Sequence, residues 1–192
     1  MGMGGYPWER YGLIVELTGR IQDVSSQFGK TAMQKMVYLL QAVYEVEFGY
    51  NYNFYTYGPY SADLSRDLKI IEHHGGIEIN YVNSETRGFR IKQGANHTQF
   101  AEKAASSIRR AKSKMDAAIS EFGEYNAREL ELRSTIIYAE RDLRENGESL
   151  SLNRFVELVY NLKPHFEPDY IVEVIGELEK KGFISINRRP IN

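Results

Sequence analysis

The sequence predicts a mostly α (α+β) protein, and three observations carry that prediction. Apolar residues recur at helical spacing through most of the 192 residues. Two segments, "IEINYV" and "GFRIK", alternate with period two instead. The elements before residue 95 follow the order helix, helix, short strand, helix, hairpin. That order is winged-helix-like, and a helical C-terminal part follows it. Residues 1–95 are accordingly expected to form a winged-helix-like domain with a short β-hairpin. Residues 96–192 are expected to form a helical region packed on it.

The first helix is expected over 8–24, where Leu13, Ile14, Leu17, Ile21 and Val24 recur at helical spacing. Thr31 followed by Gln34 reads as a capping box opening a second helix. Met33, Met36, Val37, Leu40, Val43 and Tyr44 give that helix an apolar face wide enough for a central position, and Gly49 is placed to end it. "YNYNFYTYG" alternates and is rich in β-formers, so a short strand is expected, turned by Gly58-Pro59. Ser61 caps a third helix with a Leu64, Leu68, Ile71 stripe. In the hairpin over 77–92, Ile77, Ile79 and Tyr81 face the same way as Phe89 and Ile91, and "NSETR" joins the strands.

From Thr98 the apolar residues Phe100, Ala104, Ile108, Ala111, Met115, Ile119 and Phe122 predict one long helix with an Ala-rich seam. Asn126 and Glu129 form a second capping box. "SLNRFVELVYNL" is a short helix stopped at Lys163-Pro164, and Pro168 opens the last helix. "FISI" is expected as a final short strand.

Composition excludes several function classes. The chain has no Cys, which removes disulfides, thiolate catalysis and Cys-based metal centres. "MGMGGYPWERYG" lacks the basic and apolar regions of a signal peptide, and the longest apolar stretch is too short to span a bilayer, so a cytoplasmic, non-membrane protein is expected. Net charge is −2 and the isoelectric point about 6.1, so nucleic acid would need a local basic patch.

Tests for catalytic chemistry fail in turn. "GKT" at Gly29 to Thr31 is no phosphate-binding loop, because the glycine required five positions earlier is Val24. His73 and His74 diverge around a helix and cannot chelate together. Carboxylate pairs such as Glu129 and Glu131, or Glu140 and Asp142, are two apart and read as solvated helix surface. No cofactor motif occurs, so no cofactor and no catalytic or metal residue is expected.

Two binding readings remain. As a DNA-binding regulator the chain would use Arg66 and Lys69 on the third helix and Arg87 and Arg90 on the hairpin. The helix over 61–74 carries three carboxylates against two cations, and the hairpin is net +1, which suits phosphates poorly. As a protein-binding module it would use tyrosine. There are 14 tyrosines, and Tyr50, Tyr52, Tyr55, Tyr57 and Tyr60 cluster. Exposed tyrosines give rigid amphipathic contact area, whereas buried ones must pair their hydroxyls. Alternation alone leaves both open, and Tyr55, Tyr57 and Tyr60 are the candidate interaction surface. The Ala-rich seam over 98–122 also suggests a homodimer.

At "KTAMQKMVYLLQ" and "FYTYGPYSADLSRDL" the chain resembles SocA-like (Panacea) domains and the related YwgA-type prokaryotic proteins. The shared pattern is a helix of the type Gln34-Lys35-Met36-Val37-Tyr38, then an aromatic strand ending Tyr57-Gly58-Pro59, then a helix. Tyr55-Thr56 and Tyr60 stand where the Panacea pattern has Ala-Trp and Val, which brings this chain nearer the YwgA-type branch. The resemblance implies a small non-enzymatic domain, antitoxin-like or regulatory, in a prokaryote or mobile element. It also implies a toxin or regulator as partner and carries over no catalytic residue.

Overall fold

A computed structural model of the chain describes residues 7–25, 28–82 and 88–186. The described elements are α1 (Trp8–Gln22), α2 (Lys30–Ala42), β1 (Asn53–Tyr55), β2 (Gly58–Tyr60), α3 (Ala62–His73), β3 (Ile77–Val82), β4 (Gly88–Gln93), α4 (His97–Lys103), α5 (Ala105–Phe122), α6 (Ala127–Glu145), α7 (Leu152–Leu162) and α8 (Pro168–Lys180). The mostly α (α+β) class is therefore correct, with two separate two-stranded antiparallel sheets.

α2 runs through the centre. Every residue from Ala32 to Leu40 is buried, as its apolar face requires. It packs on α5, α6 and β2, while α1 lies against α4 and α5. Gly12 lets α1 approach α4 closely: a Cβ there would stand 2.1 Å from Ala104 Cβ and 2.7 Å from Phe100 O. One apolar cluster runs from Tyr11 to Ile184, so the C-terminal helices pack on the N-terminal part through a shared core. β3 and β4 pair antiparallel, with Ile79 opposite Ile91 and Tyr81 opposite Phe89, which puts these residues on the shared face the alternation indicates. Ser61 caps α3 by accepting from Leu64 N, and the Asn126–Glu129 capping box is formed.

Several local expectations are corrected. Thr31 does not cap α2: the helix opens at Lys30 after Gly29 with no side-chain cap, and Gln34 is engaged elsewhere. α2 stops at Ala42, not near Gly49, because Gln41 accepts from Tyr50 N and donates to Tyr50 O, folding the chain back along the helix. The turn back runs through Glu45 at φ 54. Val24 lies beyond α1 and is exposed.

The single aromatic strand is instead a hairpin. Thr56-Tyr57 makes the turn, and Gly58-Pro59 belongs to β2, with Gly58 at φ +86 where a side chain would be strained. The long helix over 98–122 is broken at Ala104, where α1 crosses. Its seam is spent inside the chain: Phe100, Ala104, Ala111, Met115, Ile119 and Phe122 are all buried, so the expected dimer face is not an exposed one. "FISI" at 183–186 is irregular, not a strand. Glu131 and Glu140 are buried, whereas Asp142 is exposed, so these pairs are not simply solvated surface.

Candidate functional site

Two antiparallel strands of three residues each have too few contacts to stand alone. The β1–β2 hairpin is held from beneath by its backbone. Gln34 takes both polar groups of Ser61, donating through Nε2 to O at 2.9 Å and accepting at Oε1 from N at 3.0 Å. Gln41, two turns further along the same face of α2, does the same to Tyr50, at 2.7 and 3.0 Å. Each glutamine amide thus stands in for the peptide group of a neighbouring strand. Between these clamps Lys35 Nζ donates to Pro59 O at 2.8 Å, and Lys163 Nζ donates to Thr56 O at 2.5 Å. Four side chains therefore grip the backbone of residues 50–61.

Those rings face outward. Tyr55 and Tyr57 are 64% and 62% exposed, and Tyr60 is at 36%. Tyr55 and Tyr60 pack against each other with ring centroids 5.6 Å apart. The neighbouring aromatics turn inward instead: Phe54 lies against Tyr138, and Tyr52 lies edge-on to Tyr38. Burial raises the Tyr52 hydroxyl well above the ordinary tyrosine range, and among the described residues that hydroxyl has no hydrogen-bond partner. The cluster thus divides, with Tyr50 and Tyr52 inside and Tyr55, Tyr57 and Tyr60 outside.

The three exposed tyrosines rim a groove of about 390 Å³ between the hairpin, the first turns of α2, and α3. Leu68 and Ile79 supply apolar wall, and Thr31, Gln34 and Ser65 supply polar atoms. Three lysines, Lys30, Lys35 and Lys69, line it, and among the described lining residues there is no carboxylate. Lys30 lies 4.0 Å over the Phe89 ring, and Phe89 in turn meets Tyr81 at 5.6 Å. Both rings are largely exposed, which extends the aromatic surface onto β3–β4.

Under the hairpin the charges do not balance. Lys35 and Lys163 are 2% and 0% exposed, and one carboxylate, Glu131, serves them. Glu131 Oε1 lies 2.7 Å from Lys163 Nζ, an ion pair by distance without the alignment of a directed hydrogen bond. His165 Nε2 reaches the same oxygen at 3.5 Å. Lys35 has its Pro59 carbonyl and no carboxylate within ion-pair distance among the described residues. Burial, then the charge of Lys163, lowers the Lys35 ammonium from 10.5 to about 8, against the opposing pull of Glu131.

α3 is anchored on its inner face by Asp67, which accepts from Tyr50 Oη at 2.8 Å and Tyr11 Oη at 3.3 Å and pairs with Arg10 at 2.7 Å. The candidate DNA contacts are scattered in role. Arg66 is paired with Asp63 at 2.9 Å, Lys69 lines the groove, Arg90 is exposed on β4, and Arg87 lies outside the described residues. The other cation of that hairpin, Lys92, is paired with Glu78 at 2.8 Å.

The sequence reading missed Lys35, Lys163, Glu131 and the two glutamine clamps. One signal was present: a helix apolar on most sides leaves a lysine in its middle no route to water. Among the described residues no group of three or more His, Asp or Glu could hold a metal ion, and no helix is long and apolar enough to cross a membrane. Compared with known protein families and with curated proteins, the chain matches none.

Proposed function

We propose that this protein is a non-enzymatic protein-interaction module that docks a partner segment in the groove between the tyrosine hairpin and α3. One observation carries the reading: Tyr55, Tyr57 and Tyr60 are displayed on a backbone clamped at four points, at the mouth of a groove with three lysines and, among the described lining residues, no carboxylate. Rigid aromatic anchors of this kind contribute contact area at low entropic cost, and the cations select an acidic partner surface. The partner segment is therefore acidic with apolar side chains between its charges. Among the described lining residues the groove has no histidine or carboxylate.

The resemblance to SocA-like and YwgA-type proteins falls on the same elements, the α2 helix and the Tyr57-Gly58-Pro59 hairpin. It supports an antitoxin-like or regulatory role in the cytoplasm of a prokaryote or for a mobile element, with a toxin or regulator as partner. A winged-helix DNA-binding role has weaker support, because Arg66 and Lys92 are already neutralised by carboxylates.

The test is affinity capture with the tagged full chain and with a Tyr55→Ser/Tyr57→Ser/Tyr60→Ser variant. The variant should keep its circular dichroism spectrum and lose a partner that the parent retains reproducibly. Recovery of the same partner by both proteins, or tight salt-sensitive binding of random duplex DNA by both, would sink the reading.

A further inference from the structure

We propose that the inner end of the groove is a carboxylate subsite, in which Lys35 receives an acidic side chain or chain-terminal carboxylate of the docked protein segment. This rests on the docking reading above and names the chemistry of its deepest contact.

The argument begins with the Lys35 ammonium. It has three N–H groups and, among the described residues, one acceptor, the Pro59 carbonyl. A buried ammonium without a counter-ion is an expensive group, and an apolar side chain of similar length would suit the α2 core better. The local carboxylate, Glu131, lies within 2.7 Å of Lys163, so the pair of lysines keeps one uncompensated positive charge. That charge lies against the groove, whose lining includes both Lys35 and Gly58. Beneath Gly58, the fully buried Thr135 hydroxyl also lacks a partner among the described residues, 2.8 Å from where a Gly58 Cβ would stand. The first turn of α2 contributes in the same sense, since Lys30 and Thr31 line the groove and no side chain caps the helix. Lys69 adds a third cation at the rim.

A carboxylate fits this setting better than a phosphate. Apolar and aromatic wall from Tyr55, Tyr57, Tyr60, Leu68 and Ile79 surrounds the charge, and no arginine fork lines the groove. The occupant is thus a single anionic group on an apolar body.

Binding should also take up a proton. The groups facing Lys35 are Lys163 and Glu131, with His165 beyond Glu131 and Lys30 and Lys69 across the groove. A carboxylate beside Lys35 favours its charged form, so affinity should fall as pH rises through about 8.

The experiment uses the intact chain and N-acetyl-phenylalanine as probe, with its uncharged amide as control. Calorimetry near neutral pH should show the acid binding about tenfold or more tighter than the amide. The acid should lose about tenfold in affinity over two pH units centred near 8. The Lys35→Met variant should lose the preference for the acid over the amide. Lys69→Gln, on the exposed rim, should lose about threefold. Equal binding of acid and amide overturns the proposal, as does displacement of the acid by an equal concentration of inorganic phosphate. If Lys35→Met does not fold, the acid–amide ratio and pH dependence of the parent decide the matter. Absence of probe binding while the tyrosine variant still loses its captured partner overturns the subsite alone. An unchanged capture by the tyrosine variant overturns the docking reading and leaves the probe result standing.

Discussion

Replacing Lys35 by methionine should make the protein more stable at neutral pH. The folded state holds this ammonium at about 8, against 10.5 in an open chain. That gap corresponds to about 3 kcal/mol disfavouring the folded state wherever lysine is charged in both states. Methionine keeps the unbranched apolar stem and removes the charge. It also removes the hydrogen bond to Pro59 O, worth about 1 kcal/mol. The net expectation is a gain of about 2 kcal/mol near neutral pH.

The sign of the pH dependence follows from the same gap. Between about 8 and 10.5 the unfolded chain holds the proton that folded Lys35 has released, so the parent protein gains stability as pH rises through that window. By about pH 9.5 the parent has recovered about 2 kcal/mol, and the advantage of the variant should have vanished. Burial raises Tyr38 and Tyr44 above their ordinary value of 10.0, which works the other way at higher pH. Both proteins share that effect, so it cancels in the difference. Urea unfolding of both proteins at the two pH values, followed by circular dichroism, measures it. A variant less stable than the parent near neutral pH, or an advantage that does not change with pH, would refute the reasoning.

Three further substitutions test the contacts that hold the fold together. Gln34→Ala leaves the N–H of Ser61 buried without its partner and takes one of two donors from its C=O, which keeps Ser65 N, and should cost about 2 kcal/mol, read by urea unfolding. Asp67→Ala removes the carboxylate paired with the Arg10 guanidinium and the acceptor of the buried Tyr50 hydroxyl, and a loss of about 3 kcal/mol is expected in the same assay. Gly12→Ala drives a methyl into Ala104 and Phe100 and should cost about 2 kcal/mol, visible as a lowered Tm by calorimetry.

Periodicity made the helices legible, because burying an apolar stripe is the same problem in any fold. The α2 face, the Ser61 cap, the Asn126–Glu129 capping box and the shared face of the β3–β4 hairpin could all be read from local residues. The misreadings share a cause. Thr31 and Gln34 have the spacing of a capping box, but Gln34 finds both partners 27 residues away, in Ser61. Gly49 looked like the stop for α2, and the actual stop is Gln41 gripping Tyr50. The break at Ala104 comes from α1 crossing at Gly12, which no window around Ala104 contains. The site divides in the same way. The tyrosine cluster was visible as composition, and the side each ring faces depended on Tyr38 and Tyr138 from other helices. Lys163 lies 107 residues from Thr56, the carbonyl it holds.

The distribution of cost in the molecule supports the groove as the functional surface. An ordinary surface hairpin needs neither two buried lysines beneath it nor amide clamps at both ends. A fold selected for stability alone would keep the clamps and replace Lys35 with an apolar residue, since a buried charge without a partner weakens the folded state. It would also bury or shorten Tyr55 and Tyr57, whose rings lie mostly in water. The chain does the reverse at both places, and Lys35 and the three tyrosines line one groove, so aromatic surface for an apolar contact and an ammonium for an anion face the same occupant. The Gln34, Gln41 and Lys163 contacts hold the backbone between them, so filling the groove requires little reordering of the hairpin. The stability forgone at Lys35 is therefore recovered when a carboxylate enters, which makes occupancy of the groove and stability of the fold two readings of one equilibrium.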